Sequence, residues 1–337
     1  MAGPEESGDL IAVEPEDWDD LVRRLGVTDV YYSRGYVETA ALLADGAPAF
    51  LHLPGRDGDV LFPCLVTSDP ADVVTPYGYG GPLGVGREPP LHAFGARYAA
   101  WCSRRGVVSS FATYHPLFAN QRAAGSTGFH AVPLHGTVAW PLAQGGLLER
   151  MHKHHRRLVR RARSHGLEAE AHVAPAELGE FVAVYEQTMR RAQASAFYFF
   201  GDAYWRALAA DVPLVRIDVR SEAGELAASV LGMGAPPWLH YHLGASTDAG
   251  RRSGASHLAL LELASWGAEH GFDVLHLGGG VGGRDDPLFA YKLRFAPEGH
   301  VGACVGKAVH DRERYAALAG APGVDWAGFF PAYRAAR

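Results

Sequence analysis

Cysteine is scarce in this chain. Its 337 residues include three, Cys64, Cys102 and Cys304, far apart and odd in number. That usage argues against a disulfide frame or a cysteine zinc site and fits a reducing compartment. Long apolar runs are also missing: none approaches the ~20 residues a membrane span needs. The N-terminal stretch MAGPEESGDL is acidic and poor in apolar residues, so it reads as neither signal peptide nor anchor. A cytoplasmic protein is the expectation. With 48% hydrophobic and 20% charged residues the composition is that of an ordinary globular protein. The length exceeds one usual hydrophobic core, which points to two domains.

A second absence is local. Between Arg150 and Arg163 there is no Asp or Glu, while seven fixed positive charges occur there: Arg150, Lys153, Arg156, Arg157, Arg160, Arg161 and Arg163. His152, His154, His155 and His165 extend the run. The whole chain has 31 Lys+Arg against 37 Asp+Glu, so the rest of it carries 24 against 37. A cationic segment in an acidic protein makes a local field that attracts a polyanion. The apolar positions Leu147, Leu148, Met151, Leu158 and Ala162 recur at helical spacing, so one narrow stripe is expected to dock and the remaining surface to stay cationic. A merely solvated helix is the plainer alternative.

Hydrophobic periodicity and turn residues outline an alternation of elements. Helices fit 16–25, 31–44, 89–104, 176–193, 203–210 and 254–270; strands fit 47–53, 59–67, 107–113, 136–141, 167–173, 213–220, 225–233, 237–243 and 272–277. The mixture reads as α/β with a mixed sheet in each half.

Several constellations carry chemistry. Five glycines lie within 278–283, directly after a strand and before Arg284, Asp285 and Asp286. Such a loop lets backbone amides approach a ligand at the carboxyl end of a strand. Its spacing is neither a Walker loop nor a dinucleotide fingerprint. Lys292, flanked by Phe289, Tyr291 and Phe295, is a cation in apolar surroundings, suited to a developing oxyanion or a phosphate, or simply a snorkelling surface lysine. Arg251 to Ser256 opens the 254–270 helix and is close to the R-x-x-G-x-G/A loop by which GNAT acetyltransferases hold coenzyme A. Ser256, however, stands where Gly or Ala is expected, and a helix start capped by Ser253 or Ser256 is the plainer reading. His240 and His242 share one face of a strand and Tyr241 takes the other. No third ligand stands at a sensible spacing, so no metal is expected.

Taken in order, TPYGYGGPL (75–83), HKHHRRLVRRARSHGLEAE (152–170), YEQTMRR (185–191), HYHLGAS (240–246), LHLGGG (275–280) and DPLFAYKLRF (286–295) resemble the FemABX peptidyltransferases of the GNAT superfamily. The resemblance spans about 30–310 and is strongest over 145–295. It implies two GNAT-like domains, each a mixed, mostly antiparallel sheet flanked by helices: 1–143, then 144–308 opening with the basic helix, with 309–337 a tail returning to the first domain. It also implies transfer of an amino acid from aminoacyl-tRNA to an amine, with no cofactor beyond that co-substrate. Lys292 matches the family lysine at the reacting carbonyl, Thr188 and Arg190 the positions near an acceptor phosphate, and Tyr241 a substrate-contacting tyrosine. Arg191, Gly279 and Gly280 join that substrate-binding group.

An activated ester needs no enzyme nucleophile, only positioning, a proton acceptor and oxyanion stabilisation. Asp285 or Asp286 is the expected acceptor, unless they cap the glycine loop. Tyr77 and Tyr79 are expected to line an acceptor pocket between the domains. Lys153, Arg156, Arg157, Arg160 and Arg161 are expected to follow tRNA phosphates. Two departures favour a small acceptor, as in antibiotic biosynthesis, over a peptidoglycan precursor. The long helical arm of some cell-wall members is missing, and at Ser33-Arg34-Gly35-Tyr36 only Arg34 stands near the position of a family lysine. The rival activities are an acyl-CoA-dependent N-acyltransferase and a non-catalytic RNA-binding protein.

Overall fold

The computed structural model describes residues 9–335; Met1–Gly8, most of the acidic N-terminal stretch, lies outside them. The chain forms two compact units. The first comprises the described residues of Met1–Val27, Tyr31–Leu134 and Gly302–Arg337, and the second Thr28–Val30 and His135–Val301. Both are α/β, with mostly antiparallel sheets flanked by helices.

The first unit runs β1 (Ile11–Ala12), α1 (Pro15–Arg24), α2 (Arg34–Ala41), β2 (Gly46–Leu53), β3 (Gly58–Thr67), β4 (Asp72–Val74), β5 (Leu83–Gly86), α3 (Leu91–Arg104) and β6 (Ser109–Thr113). Its strands pair antiparallel except β4 on β6, which are parallel and joined through α3. Such a crossover needs a helix-length connection, which the apolar face Phe94, Tyr98, Trp101 and Cys102 supplies. The expected helix over 31–44 is shorter. Val30–Tyr32 is a 3-10 turn, and Ser33 then caps α2 by accepting from the Tyr36 amide. Strand β7 (His130–Pro141) carries the chain into the second unit.

The second unit continues with α4 (Leu147–Arg150), α5 (Lys153–Ser164), β8 (Glu168–Val173), α6 (Gly179–Arg191), α7 (Asp202–Asp211), β9 (Leu214–Arg220), β10 (Leu226–Ala235), β11 (Trp238–Ser246), α8 (Asp248–Ser253), α9 (Ala255–Glu269), β12 (Val274–Gly279) and α10 (Pro287–Leu293). Its sheet order is β7-β12-β11-β10-β9-β8, with β11 on β12 the one parallel pair, joined through α9. Val138, Trp140, Val159, Leu258, Leu263, Leu275 and Phe295 are among the buried residues that fill its core. At ~25 cal/mol per Å² such burial is the main stabilising contribution.

Strand β13 (His300–Val309) returns to the first unit, pairs with β6, and leads to α11 (Arg312–Ala319). Residues beyond it pack around Val108, Tyr315 and Phe330. The chain leaves the first unit before the expected 143/144 boundary because β7 is long and pairs with β12 from Thr137 onward. It re-enters ahead of 308/309 because β13 meets β6 from Val305.

Candidate active site

The parallel pair in the second unit opens. Its ladder comprises Trp238↔Val274, Leu239↔Leu275 and His240↔His276 and stops there, while β11 runs on to Ser246 against β10 and β12 to Gly279 against β7. Beyond the vertex the two strands share no further rungs, and the side chains there belong to the chemistry-bearing motifs.

Lys292 is 8% exposed, near the C-terminal end of α10. Its Nζ donates to the Gly279 carbonyl at 2.7 Å and lies 5.7 Å from the centre of the Tyr241 ring. Burial, opposed in part by the Asp286 carboxylate, pulls its pKa from 10.5 down to about 8. The ammonium has three protons and one hydrogen-bond acceptor among the described residues, so it can still donate to an oxyanion. Tyr241 is half-buried, its hydroxyl beside Gly244, and burial pushes its phenol up to about 12.

The two acidic candidates have separate places. Asp286 caps α10: its oxygens accept from the Phe289 amide at 2.7 Å and the Val281 amide at 2.8 Å. Burial works to raise this carboxyl, but the amides of Phe289, Val281 and Leu288, with Lys292, outweigh it and hold it below the usual carboxylate range. Asp286 is therefore occupied as a cap, the alternative reading of the pair. Asp285 is exposed and lies 3.7 Å from His135 Nε2.

Two glycines of the loop answer to packing within the protein. A Cβ on Gly279 would meet the Gly136 carbonyl at 2.8 Å, and one on Gly280 would meet both the Arg284 carbonyl and Asp286 Oδ1 at 2.4 Å. Thr188 Oγ1 donates to the carbonyls of Val184 and Ser246 and accepts from the Ser246 amide, which fixes α6 to the end of β11. Arg191 reinforces that joint through Ser246 O and Asp248, and Arg190 pairs with Glu186. Thr188 and Arg191 act on the protein's own backbone, and Arg190 on a neighbouring carboxylate. Tyr77 and Tyr79 lie in the first unit, where the Tyr36 hydroxyl donates to the Tyr77 carbonyl and Tyr79 stands edge-on to Tyr31. Arg34, in the same unit, pairs with Glu38.

His240 and His242 do not form a ligand pair. His240 Nε2 is 2.8 Å from Asp29 Oδ2 and its Nδ1 is 3.3 Å from His276 Nδ1, all three residues being buried. His242 Nε2 meets the Tyr204 hydroxyl at 2.6 Å, and burial, then His240, lowers its pKa to about 3. The sequence reading missed Asp29 and His276, which lie far from His240 in the chain and have no local pattern to betray them.

The expected single basic helix is two. The chain turns at Met151–His152, and Arg156, expected on the tRNA face, spends its guanidinium on the carbonyls of Glu149 and Met151. Arg150 likewise caps local carbonyls and Arg163 pairs with Glu262. The buried face is His155, Val159 and Ala162, with Leu158 only half-buried, so the expected stripe is rotated. His155 is off the cationic face: burial lowers its pKa to about 4, against the help of the Tyr291 carbonyl that its Nε2–H donates to. Lys153, Arg157, Arg160 and Arg161 remain exposed, without a side-chain hydrogen bond or ion pair among the described residues.

The Arg251–Ser256 segment is not an open loop. Arg251 to Ser253 lie in α8, capped by Thr247, and the Arg251 and Gly254 amides are bonded to Thr247 and Gly250 carbonyls. Gly254 has φ +92°, and a Cβ on it would meet the Leu158 carbonyl at 2.5 Å. The expected caps Ser253 and Ser256 do not serve.

Comparison with known proteins bears on the fold. Residues 149–293 match the family model described as acetyltransferase (GNAT) domain. No curated protein matches the chain in sequence. Among solved structures, FemX is similar with a TM-score of 0.65 at 14% identity over 91% of this chain and 99% of that one. L-PGS from Bacillus licheniformis gives 0.60 at 14% identity over 89% and 93%. A tandem GNAT protein from the clavulanic acid biosynthesis pathway gives 0.54 at 13% over 90% and 98%. Residues 149–293 thus match a GNAT acetyltransferase domain, and the chain as a whole shares the fold of FemX, L-PGS and that tandem GNAT protein.

Proposed function

We propose that the protein is an aminoacyl-tRNA-dependent aminoacyltransferase that joins a tRNA-borne amino acid to an amine. The observation that carries this reading is Lys292, a buried ammonium with spare donors at the open end of β11 and β12. An aminoacyl ester is already activated. Its aminolysis needs a held carbonyl, a neutral amine and a donor where negative charge develops. Lys292 supplies the last. Lys153, Arg157, Arg160 and Arg161 supply a face for the phosphates of the donor. The acceptor we assign is a small molecule of antibiotic or secondary metabolism rather than a peptidoglycan precursor. The longest helix among the described residues is α9, with 15 residues, so no long helical arm projects from the second unit.

A second reading, an acyl-CoA-dependent N-acyltransferase, has the acetyltransferase family match in its favour. Against it, the Arg251 and Gly254 amides of the segment that would cradle a pyrophosphate are bonded to the Thr247 and Gly250 carbonyls. The deciding assay incubates the protein and small amine acceptors with bulk tRNA charged with labelled amino acids, with the same tRNA after deacylation, or with labelled acetyl-CoA. Amide formation that requires charged tRNA supports the first reading. Amide formation with acetyl-CoA alone overturns it.

A further inference from the structure

Aminolysis requires that the incoming ammonium lose a proton, and Asp286 is spent on capping α10. His135 stands beside the remaining carboxylate. It opens the second unit's part of β7, two residues before Thr137, which pairs with Gly279, the residue whose carbonyl holds Lys292. Its ring lies edge-on to Phe289, 4.5 Å away between centres, one helical turn from Lys292 on α10. Its Nε2 is 3.7 Å from Asp285 Oδ1, and its side chain is 35% exposed. The backbone here is specified. His300 Nε2–H donates to the His135 carbonyl at 2.9 Å, and Gly136, at φ +143°, leaves room for the His300 ring, which any Cβ would meet at 2.2 Å. The ionisable groups facing the His135 ring are Asp285 and His300, whose ring centre is 5.5 Å away.

We infer that His135 is the catalytic base of this site and that Asp285 is its positioning residue. The inference rests on the aminoacyl-transfer reading. An imidazole is the side chain suited to take a proton from an amine near neutral pH. A carboxylate at ion-pair distance stabilises the imidazolium as it forms, without itself being protonated. His135 takes one proton from the acceptor ammonium and passes it to solvent, to which its ring is open. The nitrogen lone pair then forms the C–N bond at the ester carbonyl, and Lys292 donates to the oxyanion. The ester C–O bond breaks as the second proton moves from nitrogen to the departing ribose oxygen.

The test compares two acceptors, ethanolamine, which is protonated at neutral pH, and hydroxylamine, which is not, with bulk charged tRNA as donor. His135→Gln should lower kcat/KM for ethanolamine by about a hundredfold or more and for hydroxylamine by only a fewfold, with charged-tRNA affinity unchanged. Added imidazole should restore part of the ethanolamine reaction in His135→Ala, and Asp285→Asn should show a smaller loss of the same pattern. His135→Asn serves as a second variant should either of the others melt early. Equal losses for both amines, or no loss, overturn the role of His135 while leaving the transfer reading intact. A wild-type protein that forms amide with neither amine overturns the transfer reading and the base with it.

Discussion

Each unit contains one buried lysine, and the two are near twins in their immediate contacts. Lys292 and Lys307 are 8% and 3% exposed, each donates to backbone carbonyl oxygen, and each has its Nζ 5.7 Å from the centre of an aromatic ring, Tyr241 and Phe330 respectively. They differ in what is left over. Lys307 gives two protons to the carbonyls of Trp326 and Gly328, with Asp325 nearby, and so pins the C-terminal segment to β13. Lys292 gives one. The strands beside them differ in the same sense. In the first unit β4 and β6 stay zipped: beyond Val74↔Phe111 the Thr75 amide bonds Phe111 O, Thr75 Oγ1 receives the Thr113 amide, and Gly80 bridges to Tyr114. In the second unit the ladder ends at His240↔His276. The first pairing is extended by further backbone and side-chain bonds, and the second ends at that rung. Lys307 spends two of its protons on carbonyls and Lys292 one, which is what separates the two lysines.

The sharpest way to break this contrast is to remove each lysine. Lys292→Ala should lower single-turnover transfer by about a hundredfold to a thousandfold at saturating charged tRNA, the usual effect of losing one oxyanion donor. Lys292→Arg should recover only part, since a planar guanidinium places its charge differently. Normal chemistry at saturation would mean that Lys292 grips a phosphate instead. Replacing Lys153, Arg157, Arg160 and Arg161 by Ala should weaken tRNA binding and reduce the salt slope of log K by about three units, at ~0.7–0.9 per contact. Arg156→Ala alone should leave that slope nearly unchanged, which a filter-binding titration against salt would check. Lys307→Met should leave turnover per folded molecule intact and cost stability by about 1–3 kcal/mol, through two unsatisfied carbonyls, measured by denaturant unfolding.

The smallest effect sharpens the comparison through pH. The folded-state pKa of Lys292 lies below its unfolded value, so between about 8 and 10.5 the unfolded chain binds the extra proton. Stability from this group therefore rises with pH through that window, while transfer that needs the ammonium falls as pH rises through about 8. Thermal melts from pH 7 to 10 on wild type and Lys292→Met should differ in slope in that direction.

Much of this was legible in the sequence. The crossover helices α3 and α9 follow from apolar periodicity, and Lys292 is marked by its aromatic neighbours. What escaped depends on distant chain segments. Nothing in HKHHRRLVRR shows that His155 would be buried against Tyr291 and Val159 would carry the stripe, since charge dominates the local pattern. The Arg251–Ser256 motif reads as a loop because Gly254 punctuates it, yet its φ serves a close approach to Leu158. His135 has no motif at all, and its meaning comes from the strand register that sets Thr137 against Gly279. Lys307 looks like any strand lysine until residues 326–330 are seen around it.

The turn at Met151–His152 has one further consequence. The amide of His152 takes the carbonyl of Arg294, and the ring of His155 takes that of Tyr291. Carbonyls at the end of a helix are ordinarily left to water or a cap. Here they are riveted to the start of the cationic helix at two points, one on each side of Lys292 in the chain. The two helices are thus joined on both sides of the ammonium-bearing residue, so the placement of Lys292 depends on the start of the cationic helix as well as on α10 itself.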